Sequence, residues 1–220
     1  MNNFDSGAYD KIAERLYTAV LADVMDTLGY RHQVMRHDIR PMFPGAKVVG
    51  RAATMAATEV DAIPKEPYKL ELALLDDLQP GEVVACTTRN SRGSAIWGEL
   101  LSIHARAKGA RGAIIDGLSR DSWGIIAMKF PVFSTGLTPA DSSGRCDVTA
   151  IRVPIELGEV LVNDGDLIVA DHDGCLAIPQ AIEDDVIKLA FEKVSGEDTV
   201  RQVLRRGASI REVFAQYGIL

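Results

Sequence analysis

The hydrophobic positions of this chain alternate between helical spacing and short continuous runs. Residues 68–78 have the spacing of an amphipathic helix, and the apolar run 83–87, which follows a Pro-Gly turn, predicts a strand. Residues 123–129 and 131–136 repeat this order of helix and strand. An alternation of this kind favours an α/β fold over an all-β fold.

The chain begins with helical spacing and later changes to an antiparallel pattern. Residues 1–30 predict N-terminal helices, and Thr18 has the position and side chain of an N-cap for the second of them. Residues 147–179 hold several apolar runs that are separated by Gly or Asp turns, as antiparallel strands are. Adding these strands to the strand and helix alternation predicts a mixed sheet.

The C-terminal tail, residues 180–220, returns to helical spacing, and Gly196 and Gly207 divide it into three predicted helices. With 220 residues, of which 47% are hydrophobic, the chain is long enough for one sizeable core. We therefore expect a single domain over residues 1–220. Its N-terminal helices (1–30) and C-terminal helices should pack on the central sheet.

Charge and cysteine content argue against several classes of protein. A formal net charge of -7 disfavours a general nucleic-acid surface, because phosphate binding depends on clustered Lys and Arg. No apolar stretch approaches the roughly 20 residues needed to cross a bilayer, and the N-terminus lacks a signal-peptide pattern. The three cysteines and four histidines show no metal-ligand spacing. We expect a cytoplasmic protein with reduced thiols and no membrane contact.

The strongest chemical signal is an acid that is followed, after twenty residues, by an Arg-Asp step. Residues 96–107 have near-helical spacing, and a glycine follows at the expected C-cap position. The apolar run 113–115 then predicts a strand that is buried on both faces. Glu99 should therefore lie in the first turn of a helix. Arg120 and Asp121 should lie just past the carboxyl end of a strand, so the three side chains can meet at one rim.

That rim is where α/β proteins most often bind small ligands. An aspartate there suits a hard divalent cation, and a neighbouring guanidinium offers a planar fork for a carboxylate or an enolate oxygen. Unpartnered amides in the first helical turn can also hold a carboxylate. Charged residues of these types more often form a solvated ion pair and a helix-start carboxylate. The apolar wall of Trp97, Leu100 and Leu101 beside Glu99 favours a binding site instead.

With these residues assembled, the chain resembles the metal-dependent 4-hydroxy-4-methyl-2-oxoglutarate aldolases, a family that includes the proteins named regulator of ribonuclease activity A. The likeness covers most of the chain and runs through ADVMDTLG, PGEVV, GELL, DGLSRD, FPVFSTGLTPADSSGR and DGDLIVADHDGCLAIP. Its most specific element is the acid, twenty residues, Arg and Asp. The resemblance implies an α/β fold of the swivelling β/β/α type and a homotrimer or homohexamer.

The resemblance also implies roles for single residues. Asp121 would be the protein ligand of a divalent cation, Mg²⁺ or Mn²⁺, and Arg120 would bind a 2-oxo acid substrate and stabilise its enolate. Glu99, where many members have Asp, would position a metal-bound water. The substrate carboxylate would be held by the backbone amides of Gly98, Glu99, Leu100 and Leu101. A further acid would come from the C-terminal region of a neighbouring subunit, with Glu192, Glu197 and Asp198 as candidates.

The implied reaction is a retro-aldol cleavage of a 4-hydroxy-2-oxo acid to pyruvate and a second oxo acid. A cation chelated by the substrate oxygens spreads the developing charge into a pyruvate enolate, and loss of carbon dioxide from oxaloacetate passes through the same enolate. The alternative is a non-catalytic protein that regulates a ribonuclease. Glu99 favours the enzyme, since a protein-binding surface does not need an acid facing the Arg-Asp step.

Overall fold

A computed structural model of the chain describes residues 6–218. Its α-helices are α1 (Ser6–Arg15), α2 (Thr18–Thr27), α3 (Lys69–Asp77), α4 (Glu99–Ala107), α5 (Ser122–Met128), α6 (Glu183–Arg205) and α7 (Ile210–Tyr217). Its strands are β1 (Arg40–Pro41), β2 (Val48–Glu59), β3 (Glu82–Thr87), β4 (Ala95–Trp97), β5 (Gly112–Ser119), β6 (Val132–Leu137), β7 (Cys146–Ile151), β8 (Ile155–Leu157), β9 (Val160–Val162), β10 (Leu167–Ala170) and β11 (Cys175–Ile178). The outer residues of the predicted terminal helices, 1–5 and 219–220, lie outside this range.

Nine of these strands form one sheet in the order β1, β6, β5, β3, β2, β10, β11, with β4 added beside β5 and β7 added beside β2. Strands β2, β3, β5 and β6 run parallel to one another. Strand β1 is antiparallel to β6, β7 and β10 are antiparallel to β2, and β11 is antiparallel to β10. Strands β8 and β9 form a separate hairpin. The predicted α/β fold with a mixed sheet flanked by helices is confirmed.

The helices cover the sheet because its central strands are apolar on both faces. Every residue of β5 is buried, and so is nearly every residue of β3, which is the pattern of parallel strands covered on both sides. One apolar core joins the sheet to α3, α4 and α5. Another joins β10 and β11 to α1, α2 and α6. None of the helices within residues 6–218 is long and apolar enough to cross a membrane.

Two sequence predictions about helix ends were wrong. Thr18 is the first residue of α2 and not its N-cap, because the distant Asp171 carboxylate accepts both the Thr18 amide (2.8 Å) and the Thr18 hydroxyl (2.7 Å). Gly196 does not interrupt the tail, and α6 continues through it. A helical glycine costs about 1 kcal/mol relative to alanine, and the burial of Val194 and Val200 on either side offsets this cost.

The start of the central helix was also misplaced. Ile96 has near-helical spacing with Leu100 and Ile103, yet it lies in the short strand β4, and Gly98 occupies the N-cap position of α4. Local spacing does not distinguish a three-residue buried strand from a helical turn. The difference matters for function, because pairing of β4 with β5 places the start of α4 beside the end of β5.

Candidate functional site

Parallel pairing of β4 with β5 brings the two predicted segments together. Trp97 lies opposite Ser119 in this pair, so the residues that follow both strands leave the sheet at the same edge. The Arg120 amide donates a hydrogen bond to the Trp97 carbonyl at 2.8 Å. The predicted meeting of Gly98 and Glu99 with the Arg120-Asp121 step therefore occurs in the backbone.

Lack of space favours glycine at position 98 of this junction. Its φ of -152° is extended, which any residue adopts, so the backbone itself does not demand glycine. A Cβ atom added to Gly98 would lie 2.8 Å from Asp121 Oδ2 and 3.3 Å from Arg120 Cγ. The Asp121 carboxylate occupies the space that a side chain at position 98 would need.

Asp121 occupies the N-cap position of α5 in the left-handed region, with φ 55° and ψ 34°. Aspartate is one of the few residues other than glycine that tolerate this conformation. Its side chain makes no capping hydrogen bond to α5. The carboxylate turns instead toward α4, where its Oδ2 accepts the Glu99 amide at 3.4 Å, and it stays 43% exposed. It is thus an accessible oxygen donor in a fixed place.

Arg120 lies between two carboxylates. Its Nε is 3.5 Å from Asp121 Oδ2, and one terminal nitrogen is 3.0 Å from Asp141 Oδ1. The Tyr68 hydroxyl donates to the other Asp141 oxygen at 3.5 Å. Asp141 was not among the predicted site residues, although it belongs to the PADSSGR run that carries part of the resemblance. Its effect is to fix the direction of the guanidinium.

A cavity of about 230 Å³ opens beside this pair. Its wall includes the predicted residues Gly98, Leu100, Leu101, Arg120 and Asp121. The amides of Leu100 and Leu101 lie in the first turn of α4, and neither donates a hydrogen bond to any residue within 6–218. The volume is below the roughly 300–1,000 Å³ of sites for drug-sized ligands, so it suits a small molecule.

The Glu99 side chain points to a different place from the one predicted. Its carboxyl group lies over Gly124 of α5, where an added Cβ would collide with it, and Glu99 is not part of the cavity wall. The absence of a side chain at Gly124 opens this space between α4 and α5. Glu99 therefore reaches the Arg-Asp pair through its backbone amide, and the predicted catalytic role of its carboxylate stays a prediction.

A third acid, Glu71, lines the cavity and was not among the predicted site residues. It is only 4% exposed, and among residues 6–218 its carboxyl group has no hydrogen bond and no ion pair. Burial, with smaller contributions from the charges of Asp147 and Asp141, raises the pKa of Glu71 to about 7. The sequence signal was its position on α3, since Glu71 takes the first place in the helical stripe that continues with Leu74, Leu75 and Leu78.

A larger cavity, of about 730 Å³, lies elsewhere and contains none of the predicted site residues. Its buried acid, Asp116, accepts Arg36 at 2.7 Å and the Gly158 amide at 3.3 Å. Arg36 also pairs with Asp38 at 2.9 Å. The buried acid of this cavity and its arginine therefore already have protein partners.

The oxygen donors at the site fit the predicted metal only as a site with a single carboxylate ligand. Across residues 6–218 there is no group of three His, Cys, Asp or Glu side chains that could enclose a metal ion. Asp121 and Asp141 both keep an exposed carboxylate next to the cavity, and Asp141 is the more closely paired with Arg120, at 3.0 Å against 3.5 Å for Asp121. Mg²⁺ is commonly held by one or two carboxylates with water completing its shell, so a single aspartate is compatible with Mg²⁺ and not with a zinc-type cage.

Two of the candidate acids in the C-terminal tail already have partners within the chain. Glu197 bonds to the Tyr17 hydroxyl and to Arg201, and Asp198 lies 3.4 Å from Arg15 and 2.8 Å from Arg201. Glu192 is exposed. These contacts join α6 to the N-terminal helical region. None of the three acids lies in the wall of the site cavity.

The fold is a mixed α/β sheet in which the Arg-Asp step after β5 lies beside the start of α4, where two amides have no hydrogen-bond partner within residues 6–218. The chain belongs to the RraA-like family, described as aldolase/RraA, whose model matches residues 18–177. The resemblance inferred from the sequence is thereby confirmed.

Among the relatives, one is named as an aldolase and another is described as a member of a ribonuclease inhibitor family. A protein of Halalkalibacterium halodurans, provisionally named a 4-hydroxy-4-methyl-2-oxoglutarate aldolase, is 31% identical over 183 residues, which cover 82% of this chain and 81% of that protein. A solved structure of an uncharacterised Pseudomonas syringae protein has a TM-score of 0.85 and 26% identity, covering 97% of this chain and 95% of that one. A Streptomyces coelicolor structure, described as an unusual member of the RNase ES inhibitor RraA family, has a TM-score of 0.80 and 27% identity, covering 90% and 98%.

Proposed function

We propose that this protein is a divalent-metal-dependent carbon–carbon lyase. Its substrate would be a 4-hydroxy-2-oxo mono- or dicarboxylic acid, cleaved by a retro-aldol reaction to pyruvate and a second oxo acid. Decarboxylation of oxaloacetate would be a side activity of the same site. The family's aldolase members and the provisional name of the Halalkalibacterium halodurans relative support a lyase.

The observation that carries the proposal is the convergence of three groups on one small cavity. The Arg120 guanidinium, the exposed Asp121 carboxylate and the free amides of Leu100 and Leu101 all border the same 230 Å³. Two of these are donors for anionic oxygens, and the third is a ligand for a hard cation. A 2-oxo acid presents the matching partners, a carboxylate next to a carbonyl oxygen.

Asp121 would hold the metal, Mg²⁺ or Mn²⁺. When bound, that cation would supply Lewis-acid polarisation of the 2-oxo group. The left-handed backbone of Asp121 and the Glu99 amide hold the carboxylate toward the cavity, so the ligand is preorganised.

The other residues would bind and orient the substrate. Amides at the start of α4 would donate hydrogen bonds to the substrate carboxylate at the positive end of the helix dipole. Arg120, which Asp141 holds in place at 3.0 Å, would stabilise the enolate oxygen that develops as the C3–C4 bond breaks. The guanidinium stays protonated throughout, so its part is electrostatic and it transfers no proton.

We further propose that the protein assembles as a homotrimer or homohexamer, as the resemblance implies. Leu100, in the cavity wall, is 76% exposed, and Trp123, two residues after Asp121 in the chain, is 77% exposed. A second copy of the chain packed there would remove both apolar side chains from water and would cover the cavity mouth. Light scattering on the purified protein measures the number of subunits.

The competing function is a non-catalytic regulator that binds a ribonuclease, and the description of the Streptomyces coelicolor structure favours it. A regulator of this kind acts through protein contacts and needs no small-molecule turnover. The same preparation can therefore be assayed for both activities.

The deciding experiment measures pyruvate release from oxaloacetate and from 4-hydroxy-4-methyl-2-oxoglutarate. Lactate dehydrogenase and NADH would report the product, with Mg²⁺, with Mn²⁺ and with excess chelator. We expect turnover that disappears with chelator and returns with metal. If the metal-loaded protein releases no pyruvate from either substrate and binds a ribonuclease tightly, the regulator is the correct function.

A further inference from the structure

The proposed reaction requires a proton donor that the metal ligand and the substrate-binding groups do not provide. After the C3–C4 bond breaks, carbon C3 of the enolate must receive a proton before pyruvate can leave. Arg120 holds its protons too strongly to donate one, Asp121 is assigned to the metal, and Asp141 is bound to Arg120. The Glu99 carboxyl group lies outside the cavity wall.

Glu71 is the remaining acid of that wall, and its surroundings differ from those of the others. It projects from α3 into the cavity that Arg120 and Asp121 border, and it is 4% exposed. No hydrogen bond or ion pair within residues 6–218 engages its carboxyl group. A buried carboxyl group with no partner is costly in the charged form, and such groups are usually neutral or functional.

The groups that face Glu71 add no positive charge in direct contact. Asp141, in the loop before β7, and Asp147, at its start, act on it with negative charge. The thiols of Cys86 on β3 and Cys146 on β7 also lie within electrostatic range, and the pKa of each is raised, first of all by burial. With a pKa of about 7, Glu71 is present in both protonation states near neutral pH, as a proton carrier must be.

We propose that Glu71 is the acid that protonates C3 of the enolate, an inference that rests on the lyase function proposed above. The O–H bond of Glu71 breaks and its electron pair stays on the carboxylate. The C2–C3 double-bond pair of the enolate forms the new C3–H bond, and a lone pair of the enolate oxygen re-forms the carbonyl at C2. Glu71 then regains a proton from water. Retro-aldol cleavage and oxaloacetate decarboxylation end in the same enolate, so both reactions use Glu71 at the same step.

The step can be measured in isolation, through exchange of the pyruvate methyl protons in D₂O. By microscopic reversibility the group that protonates C3 also removes a proton from it. With Mg²⁺ present, we expect Glu71→Gln to exchange the methyl protons at least about 100-fold more slowly than wild type, because positioned acid–base catalysis contributes 10²–10⁴-fold. Glu71→Asp, which keeps the carboxyl group on a shorter arm, should fall between the two.

Controls separate loss of the proton carrier from damage to the site. Oxalate, a planar mimic of the enolate, should bind Mg²⁺-loaded Glu71→Gln within about threefold of wild type in calorimetry, because amide and carboxyl groups have nearly the same shape. Glu66→Gln removes an exposed carboxyl group just before α3, which pairs with Lys69, and should exchange like wild type. Equal exchange by Glu71→Gln and wild type overturns the assignment of Glu71 alone. A wild type with neither exchange nor pyruvate release overturns the lyase as well.

An independent measurement needs no activity. Because the pKa of Glu71 in the folded state, about 7, is above its unfolded value near 4.5, the unfolded chain loses this proton first as the pH rises. The contribution of Glu71 to stability is therefore present below pH 4.5 and falls up to about pH 7. Relative to Glu71→Gln, the wild-type unfolding constant should rise by roughly two orders of magnitude over this window. Parallel pH profiles of the two proteins in urea denaturation would show that Glu71 is charged and would remove it as the acid.

Discussion

The smaller and the larger cavity described above each contain a buried carboxyl group, but the two groups have opposite surroundings. Asp116, in the cavity of about 730 Å³, is 3% exposed and accepts Arg36 and the Gly158 amide. Glu71, in the cavity of about 230 Å³, is 4% exposed and has no such partner within residues 6–218.

This difference distinguishes a structural acid from a functional one better than volume does. A paired carboxylate whose hydrogen bonds are satisfied by its own protein holds segments of the fold together. An unpaired buried carboxyl group lowers stability at neutral pH, and a protein keeps such a cost most often where chemistry needs it. The larger cavity is therefore the less informative of the two, and four substitutions test this conclusion.

The largest effect is expected at the smaller cavity, for Asp121→Asn. Asparagine tolerates the left-handed backbone at φ 55°, so the change removes the metal ligand's charge without straining the chain. Metal-dependent pyruvate release should fall at least about 1,000-fold, equivalent to ~4 kcal/mol. Asp61→Asn, at an exposed aspartate, is the control. Turnover by Asp121→Asn at the wild-type rate would remove the metal assignment.

The second-largest effect is expected for a substitution in the larger cavity, and it should change the stability of the protein but not its activity. Asp116→Ala leaves Arg36, which is mostly buried, with Asp38 as its remaining carboxylate partner. We expect the free energy of unfolding in urea to fall by about 3 kcal/mol, because removing one member of a buried ion pair leaves an unbalanced charge. Pyruvate release per folded molecule should not change. A loss of turnover with unchanged stability would mean that the larger cavity is the functional one.

A somewhat smaller effect is expected for Arg120→Lys. Lysine keeps the positive charge but loses the planar fork that contacts Asp121 and Asp141 on one side and, in the proposed site, the substrate on the other. We expect kcat/KM for oxaloacetate to fall by about 100-fold, or ~2.7 kcal/mol. Arg106→Lys, at an exposed residue of α4, serves as the control. A kcat/KM within threefold of wild type would show that a point charge is sufficient.

The smallest effect is expected for Gly98→Ala. The new Cβ would lie 2.8 Å from Asp121 Oδ2, so the carboxylate must move, whereas the extended backbone accepts alanine. Turnover should fall by about tenfold, ~1.4 kcal/mol, because small displacements of reacting groups reduce rates. The unfolding free energy should change by less than about 0.5 kcal/mol. Gly93→Ala, where the nearest heavy atom is 3.7 Å away, should change neither quantity. Equal turnover in both variants would mean that the position of Asp121 is not critical.

Much of the fold followed from the sequence, because each prediction depended on residues close together in the chain. The apolar run 113–115 predicted a buried strand, which extends over Gly112–Ser119 and ends directly before Arg120 as expected. Thr18 and Ile96 were misassigned for one reason. Their conformations depend on partners far along the chain, Asp171 and β5 respectively, and local spacing does not report such partners.

The candidate site was predicted in part. Gly98, Leu100, Leu101, Arg120 and Asp121 do line one cavity. The direction of the Glu99 side chain was not predictable, since it depends on the space that Gly124 leaves on a different helix. Glu71 could have been noticed as an acid in an apolar helical stripe. The stripe alone does not show whether a Lys or Arg side chain from elsewhere in the chain pairs with it.

By itself, the sequence determined which elements form and that an Arg-Asp step follows a buried strand, because both depend on the local order of apolar, polar and turn residues. Tertiary structure alone decided that Asp116 is paired with an arginine and that Glu71 is not, among the described residues. That outcome depends on side chains brought together across the sheet, where burial removes water and the free energy of a charge is set by its nearest neighbours in space.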